Sequence, residues 1–160
     1  MPRGARILLH NVCYHVINRG NQKQVIFLEN TDYEKFLQIL KHYKKKYKCK
    51  LFGYCLMPNH IHLILDPKEP LSLPKLMQIL TQVYSTWFSE KYKKGGHLWQ
   101  GRFKSKIINK DEYFLECIYY VEINPVRAGM ISSPADYPWS SYQERVLGNK
   151  NGFLDLTDST

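Results

Sequence analysis

The hydrophobic pattern of the chain changes period several times, and each change marks an element. Residues 13–18 are rich in β-formers, Tyr14, Val16 and Ile17 among them, and predict a first strand. It runs into Arg19-Gly20-Asn21, a turn signal that could also meet a phosphate. From about Asp32 to Tyr47, Phe36, Ile39, Leu40 and Tyr43 recur at helical spacing, with Thr31-Asp32 as the expected cap. Residues 51–57 and 60–65 are apolar runs joined by Pro58-Asn59, which predicts a hairpin. Ser72 is expected to cap the next helix, with Pro74 in its first turn and Leu76, Ile79, Leu80, Val83, Trp87 and Phe88 as its core stripe. From Arg102 the chain alternates, Arg102, Lys104 and Lys106 against Phe103, Ser105 and Ile107. That suits an edge strand guarded by lysines, and equally a basic ribbon whose aromatics stack on unpaired bases. Asn109-Lys110-Asp111-Glu112 reads as a capping box for a helix reaching about Asn124, where Pro125 stops it. Phe114, Leu115, Ile118 and Val121 form its expected core stripe, and residues 134–142 a short aromatic segment packing back on the fold.

The order is β-α-β-β-α-β followed by a helix. This is the split βαβ, ferredoxin-like plan: an α+β fold with an antiparallel sheet, strands one and three central, and an added C-terminal tyrosine-bearing helix. No repeat or linker divides the 160 residues. A single domain over 1–160 is therefore expected, with its core at about 13–145 and a short flexible C-terminal tail. No apolar run approaches the roughly 20 residues of a membrane span. Residues 1–12 read as a basic arm carrying Arg3 and Arg6, without the apolar core of a secretory signal. Cys13, Cys49, Cys55 and Cys117 make no CxxC or zinc spacing and read as free thiols in a reducing compartment.

Charge narrows the partner. Twenty-three basic side chains against 14 acidic ones give a net +9, which points to a polyanion, nucleic acid before membrane. Lys41, Lys44, Lys45, Lys46, Lys48 and Lys50 gather at the end of the first helix. They complement the negative end of its dipole, and they are numerous enough to attract phosphates.

Candidate chemistry centres on His60 and His62. On a strand they point one way with Ile64, while Ile61, Leu63 and Leu65 point to the core. Two imidazoles about 7 Å apart along a rigid strand either hold a metal or are satisfied by ordinary hydrogen bonds. A third ligand would come from elsewhere, and Asn124 could supply an oxygen. Tyr120 lies one helical turn from Asn124, on the same face, whereas Tyr119 sits about 100° away. A metal, an open coordination position and a phenol could exchange a phosphodiester through a phosphotyrosine. A phenol with a free pKa near 10 needs the metal or a base to assist it.

These residues carry a family resemblance. Met57-Pro58-Asn59-His60-Ile61-His62 resembles the His-hydrophobic-His motif of HUH single-tyrosine transposases, and Tyr120-Val121-Glu122-Ile123-Asn124-Pro125-Val126-Arg127-Ala128-Gly129 is similar to their tyrosine-helix motif. Arg19-Gly20-Asn21 and Trp99-Gln100-Gly101-Arg102-Phe103 resemble REP-associated tyrosine transposases more narrowly. The resemblance spans about residues 14–142. It implies a metal-dependent endonuclease and strand transferase acting on single-stranded DNA with hairpins, REP-like palindromes. It implies His60, His62 and Asn124 as ligands of Mg²⁺ or Mn²⁺, although imidazole ordinarily favours softer metals. It implies Tyr120 as the nucleophile forming a 5′-phosphotyrosine. The turn and the basic strand make Arg19, Asn21, Arg102, Lys104 and Lys106 the expected DNA contacts. The implied setting is a bacterial cytoplasm, at the nucleoid and away from membranes, with the protein a monomer or a homodimer. The competing expectations are a catalytically silent binder of DNA or RNA hairpins, and a nuclease that uses water and leaves Tyr120 structural.

Overall fold

Four antiparallel strands form one sheet in the order β2-β3-β1-β4, where β1 is Cys13–Arg19, β2 Cys49–Met57, β3 His60–Pro67 and β4 Lys104–Ile108. The computed structural model describes residues 12–149 and 152–155. Residues 1–11 of the basic arm lie outside them, and so does most of the C-terminal tail. The central strands are β1 and β3, as the split βαβ order demands. The fold is thus the α+β plan read from the sequence.

Alternation along β3 separates two cores. Ile61, Leu63 and Leu65 face helices α1 (Asn30–Lys46) and α2 (Ser72–Tyr92), while Ile64 faces α3 (Phe114–Glu122). Helix α3 packs chiefly on β2, less on β3. Gly53 permits this approach, because a Cβ there would come within 2.7 Å of Ile118 Cγ2. Residues 139–141 then run along the free edge of β2, where Leu56 N donates to Trp139 O and Ser141 N to Tyr54 O. One sheet edge is thereby covered, and β4 remains the other, lysine-bearing edge.

Several local expectations shift. Helix α1 is capped by Glu29, not Thr31-Asp32; Asp32 is the fourth residue of a capping box and accepts from the Leu28 and Glu29 amides. Ser72 is the first helical residue of α2 and caps nothing with its side chain. The buried stripe of α2 is Leu73, Leu76, Met77, Leu80, Tyr84 and Phe88, with Ile79, Val83 and Trp87 at its half-buried rim. Tyr84 can lie in the core because its hydroxyl donates to Ile26 O at 2.5 Å. Strand β4 begins at Lys104, so Arg102 precedes it.

The expected cap at Asn109–Glu112 does not form. Asp111 instead accepts from Tyr113 N in a turn, and α3 starts at Phe114. Its buried arc is Phe114, Ile118, Val121 and Glu122. Leu115 lies about 70° off the centre of that arc at 100° per residue and is exposed. Pro125 does not end the helical chain. It sits at the start of a further turn, α4 (Asn124–Arg127), where its missing N–H costs nothing. A last turn, α5 (Tyr142–Arg145), follows. Residues 152–155 are docked: Asp155 N donates to Leu51 O, and the Asp155 carboxylate accepts from Leu51 N and Lys44. No helix of the described residues is long and apolar enough to cross a membrane.

Candidate active site and nucleic-acid face

Sheet register gathers the polar groups. In an antiparallel pair, directly opposed residues share a face. Ile17 opposes His62 and Arg19 opposes His60 across β1 and β3; Lys106 opposes His15 and Lys104 opposes Ile17 across β1 and β4. His15, His60, His62, Arg19, Lys104 and Lys106 therefore all stand on the side of the sheet where α3 packs. Helix α3 covers mainly the β2 side of that face. The β1–β4 side carries the exposed cations Arg19, Lys104 and Lys106.

Three motifs that are far apart in sequence meet at the His60 end of this face. Gly20 N donates to Asn59 O in the hairpin turn, Asn21 N to Leu98 O, and Gln100 N to Arg19 O. The glycine is needed there: a Cβ on Gly20 would lie 2.3 Å from Gln24 O. Arg19-Gly20-Asn21, Pro58-Asn59 and residues 98–100 are thus tied into one corner. Arg102 is exposed two residues beyond it, and Asn21 is half-buried within it.

The two histidines of β3 differ in surroundings. His60 Nδ1 donates to Asn59 Oδ1 at 2.7 Å, which leaves its Nε2 without a proton in the neutral ring. His62 is 8% exposed, its Nδ1 lies 2.9 Å from His15 Nε2, and its own Nε2 is buried without a partner. The His60 and His62 ring centroids are 5.0 Å apart. Burial, then the charge of Arg19, lowers His60 to about 4. Burial, then His15, His60, Arg19 and Arg127, lowers His62 to about 3. Both rings are neutral near pH 7, the form that can ligate a metal.

Tyr120 is 53% exposed, and the Arg127 guanidinium lies over its ring at 4.1 Å from the centroid. Tyr119 is 45% exposed, and its ring tilts against Tyr142 of α5 at 6.3 Å. Asn124 Nδ2 donates to Val121 O at 2.8 Å, so its amide oxygen is the atom left for a ligand. By donor type, two imidazole nitrogens and one amide oxygen suit a cation that takes mixed N and O ligands. Among the described residues, no three or more His, Cys, Asp or Glu side chains form a metal-holding group.

Two features were not legible as functional in the sequence. His15 is a lone histidine in a strand, and only the register brings it diagonally against His62. Arg127 ends α4 and returns over Tyr120, a contact that the spacing of seven residues along a regular helix allows but does not announce. Three of the cysteines are poor nucleophiles: burial raises the thiols of Cys13 and Cys49 to about 12 and pushes Cys55 up as well.

The lysine cluster lies elsewhere. Lys41, Lys44, Lys45, Lys48, Lys50, Lys68 and Lys110 line an open groove of about 780 Å³ beside Asp66 and Pro67. Asp66 lies six positions along β3 from His60, about 20 Å along the strand. Lys44 is not a free phosphate contact, because it is buried and paired with Asp155 at 2.8 Å.

The fold is a small α+β domain in which the tyrosine-bearing helix packs on the histidine-bearing face of the sheet. The family described as "Transposase IS200 like" matches residues 8–124, and the chain belongs to it. Within that family its likeness is to the REP-associated tyrosine transposases. It is 27% identical over 128 residues, 72% of each chain, to a protein of Haemophilus influenzae named a REP-associated tyrosine transposase. It shares its fold with the solved structure of a REP-associated tyrosine transposase bound to a REP hairpin, at a TM-score of 0.73 and 19% identity, covering 100% of this chain and 94% of that one. A Deinococcus radiodurans protein described as a transposase is more distant, at a TM-score of 0.50 and 17% identity over 74% of this chain and 94% of its own.

Proposed function

We propose that the protein cleaves and rejoins single-stranded DNA beside REP-like hairpins, with Tyr120 as nucleophile and His60, His62 and Asn124 as ligands of Mg²⁺ or Mn²⁺. The observation that carries this reading is the position of Arg127. Its guanidinium stacks on Tyr120, and helix α3, which carries that tyrosine, packs on Ile64, a neighbour of His60 and His62 on the same face of the sheet. This placement supports a site shared by the tyrosine and the histidine pair.

The Tyr120 hydroxyl attacks phosphorus as the 3′-oxygen leaves, which gives a 5′-phosphotyrosine and a free 3′-OH. The reverse attack by a 3′-OH rejoins a strand without an external energy source. The bound cation would polarise the phosphate and offset charge in the transition state. Arg127 holds the phenol by stacking and places a second positive charge beside the reacting phosphate. The half-exposed phenol can pass its proton to solvent. Arg19, Asn21, Arg102, Lys104 and Lys106 grip the flanking backbone on the open side of the sheet, where exposed cations attract a strand without reading its sequence. Their placement beside the histidines supports this face, rather than the lysine groove, as the main DNA contact.

The test is a denaturing gel of the protein with labelled single-stranded hairpins of varied flanks, in Mg²⁺ or Mn²⁺. A covalent protein–DNA band is expected from wild type and Tyr119→Phe. None is expected from Tyr120→Phe, His62→Ala or wild type in EDTA. Cleavage that survives Tyr120→Phe without an adduct would replace this mechanism with water attack. Hairpin binding without cleavage on a pool containing a natural REP junction would make the protein a silent binder.

A further inference from the structure

The contact between His15 and His62 assigns a role to a residue outside the ligand set. His15 lies on β1 opposite Ile64, two register pairs along from the Ile17–His62 pair, so the two histidines are diagonal neighbours on one face. Their rings stack with centroids 5.1 Å apart and planes at 28°. The separation of 2.9 Å between His15 Nε2 and His62 Nδ1 holds one bridging proton, which one ring donates and the other accepts.

The two directions have different consequences. If His15 donates, the neutral His62 ring carries its proton on Nε2. That N–H is then buried and unpartnered, and it lies in the field of Arg19 and Arg127. An orphaned buried nitrogen is costly in either form, and the positive surroundings add to that cost when it carries the proton. If His62 donates from Nδ1, its Nε2 carries a lone pair instead. A lone pair suits the positive surroundings and is what a cation can use. The same logic already holds at His60, where the Asn59 side chain takes the Nδ1 proton.

We propose that His15 is a positioning residue: it accepts the Nδ1–H of His62, fixes that tautomer and ring orientation, and so presents the buried His62 Nε2 lone pair to the site. The use of that lone pair by a metal rests on the function proposed above; the tautomer does not. Partners of this kind orient a ligating imidazole through its other nitrogen. His15 and the Asn59 side chain thus act in parallel, one for each histidine of β3.

The experiment is long-range ¹H–¹⁵N NMR of the histidine rings in metal-free full-length protein, paired with Mn²⁺ titration followed by electron paramagnetic resonance. The variants are His15→Leu, which cannot accept, and His15→Gln, whose amide oxygen can. Wild type and His15→Gln are expected to show His62 protonated on Nδ1. His15→Leu is expected to shift His62 toward the Nε2–H form and to weaken Mn²⁺ binding about tenfold to a hundredfold. An Nε2–H ring in wild type overturns the proposal. So does an unchanged Nδ1–H ring in His15→Leu. If His15→Leu does not fold, the wild-type tautomer and the retention of it in His15→Gln still decide the matter. Mn²⁺ binding to no variant, with the tautomers as expected, would overturn the metal reading of His62 and leave the positioning role standing.

Discussion

Glu122 anchors the tyrosine helix through a buried ion pair, and its removal can be given a size. It lies two residues after Tyr120, is 0% exposed, and faces the opposite way, into the fold. Its carboxylate accepts from Arg145 Nε at 2.9 Å, from Arg145 Nη2, and from Ser141 Oγ at 2.5 Å. Ser141 Oγ in turn accepts from Tyr54 N at 2.9 Å, so the chain of bonds runs from β2 through the C-terminal segment to α3. Glu122→Gln removes the charge, keeps the shape, and turns an amide NH₂ toward a guanidinium. Charge-assisted hydrogen bonds contribute roughly 1.5–3 kcal/mol each. The Arg145 side chain is 23% exposed and can turn to water. The expected loss is therefore about 2–3 kcal/mol, or a fall in Tm of about 4–12 °C for a chain of this size. Arg145→Gln should cost more, about 3–5 kcal/mol, because it strands a buried carboxylate. The double variant should cost less than the sum, with a coupling of at least about 1 kcal/mol. Urea unfolding of the four proteins measures all three quantities. A coupling under about 0.5 kcal/mol, or Glu122→Gln costing more than Arg145→Gln, would refute the claim that this ion pair is buried and pins the helix.

Three further outcomes are expected. Gly53→Ala drives a methyl to 2.7 Å from Ile118 Cγ2 and should cost about 1–3 kcal/mol of stability by urea midpoint; an unchanged midpoint would mean that α3 does not pack against β2 there. His62, held neutral in the fold down to about 3 against an ordinary value of 6.5, makes the unfolded chain bind more protons between those pH values. Stability of the metal-free protein should therefore fall as pH drops below about 6.5, by about 1.4 kcal/mol per unit from this residue, and the slope should shrink by about that amount in His62→Gln; equal slopes in the two proteins would show His62 solvated. Lys104→Glu with Lys106→Glu should weaken binding to single-stranded hairpin flanks and lower the slope of log K against log salt by about 1.4, whereas Lys45→Glu with Lys48→Glu should change it less; the reverse ranking would move the DNA to the lysine groove.

Much of this protein was determined by its sequence alone. Alternation in 60–65 separated the histidine face from the aliphatic core face, because side-chain direction on a strand is a local property. Helical spacing placed Tyr120 and Asn124 on one face for the same reason. Element order was enough for β1 and β3 to be central, since short antiparallel and split connections leave few topologies. Other features were decided by tertiary structure. The cap of α1 moved to Glu29 because Asp32 is recruited by Lys91 and Tyr92 of α2, a contact across 59 and 60 residues. The buried arc of α3 excluded Leu115 because the sheet surface, with Gly53 as its hollow, chose the line of contact. His15 became part of the site through strand register, and Arg127 through the turn that Pro125 initiates. Each of these depends on which residues are brought together from distant parts of the chain, and periodicity carries no information about that.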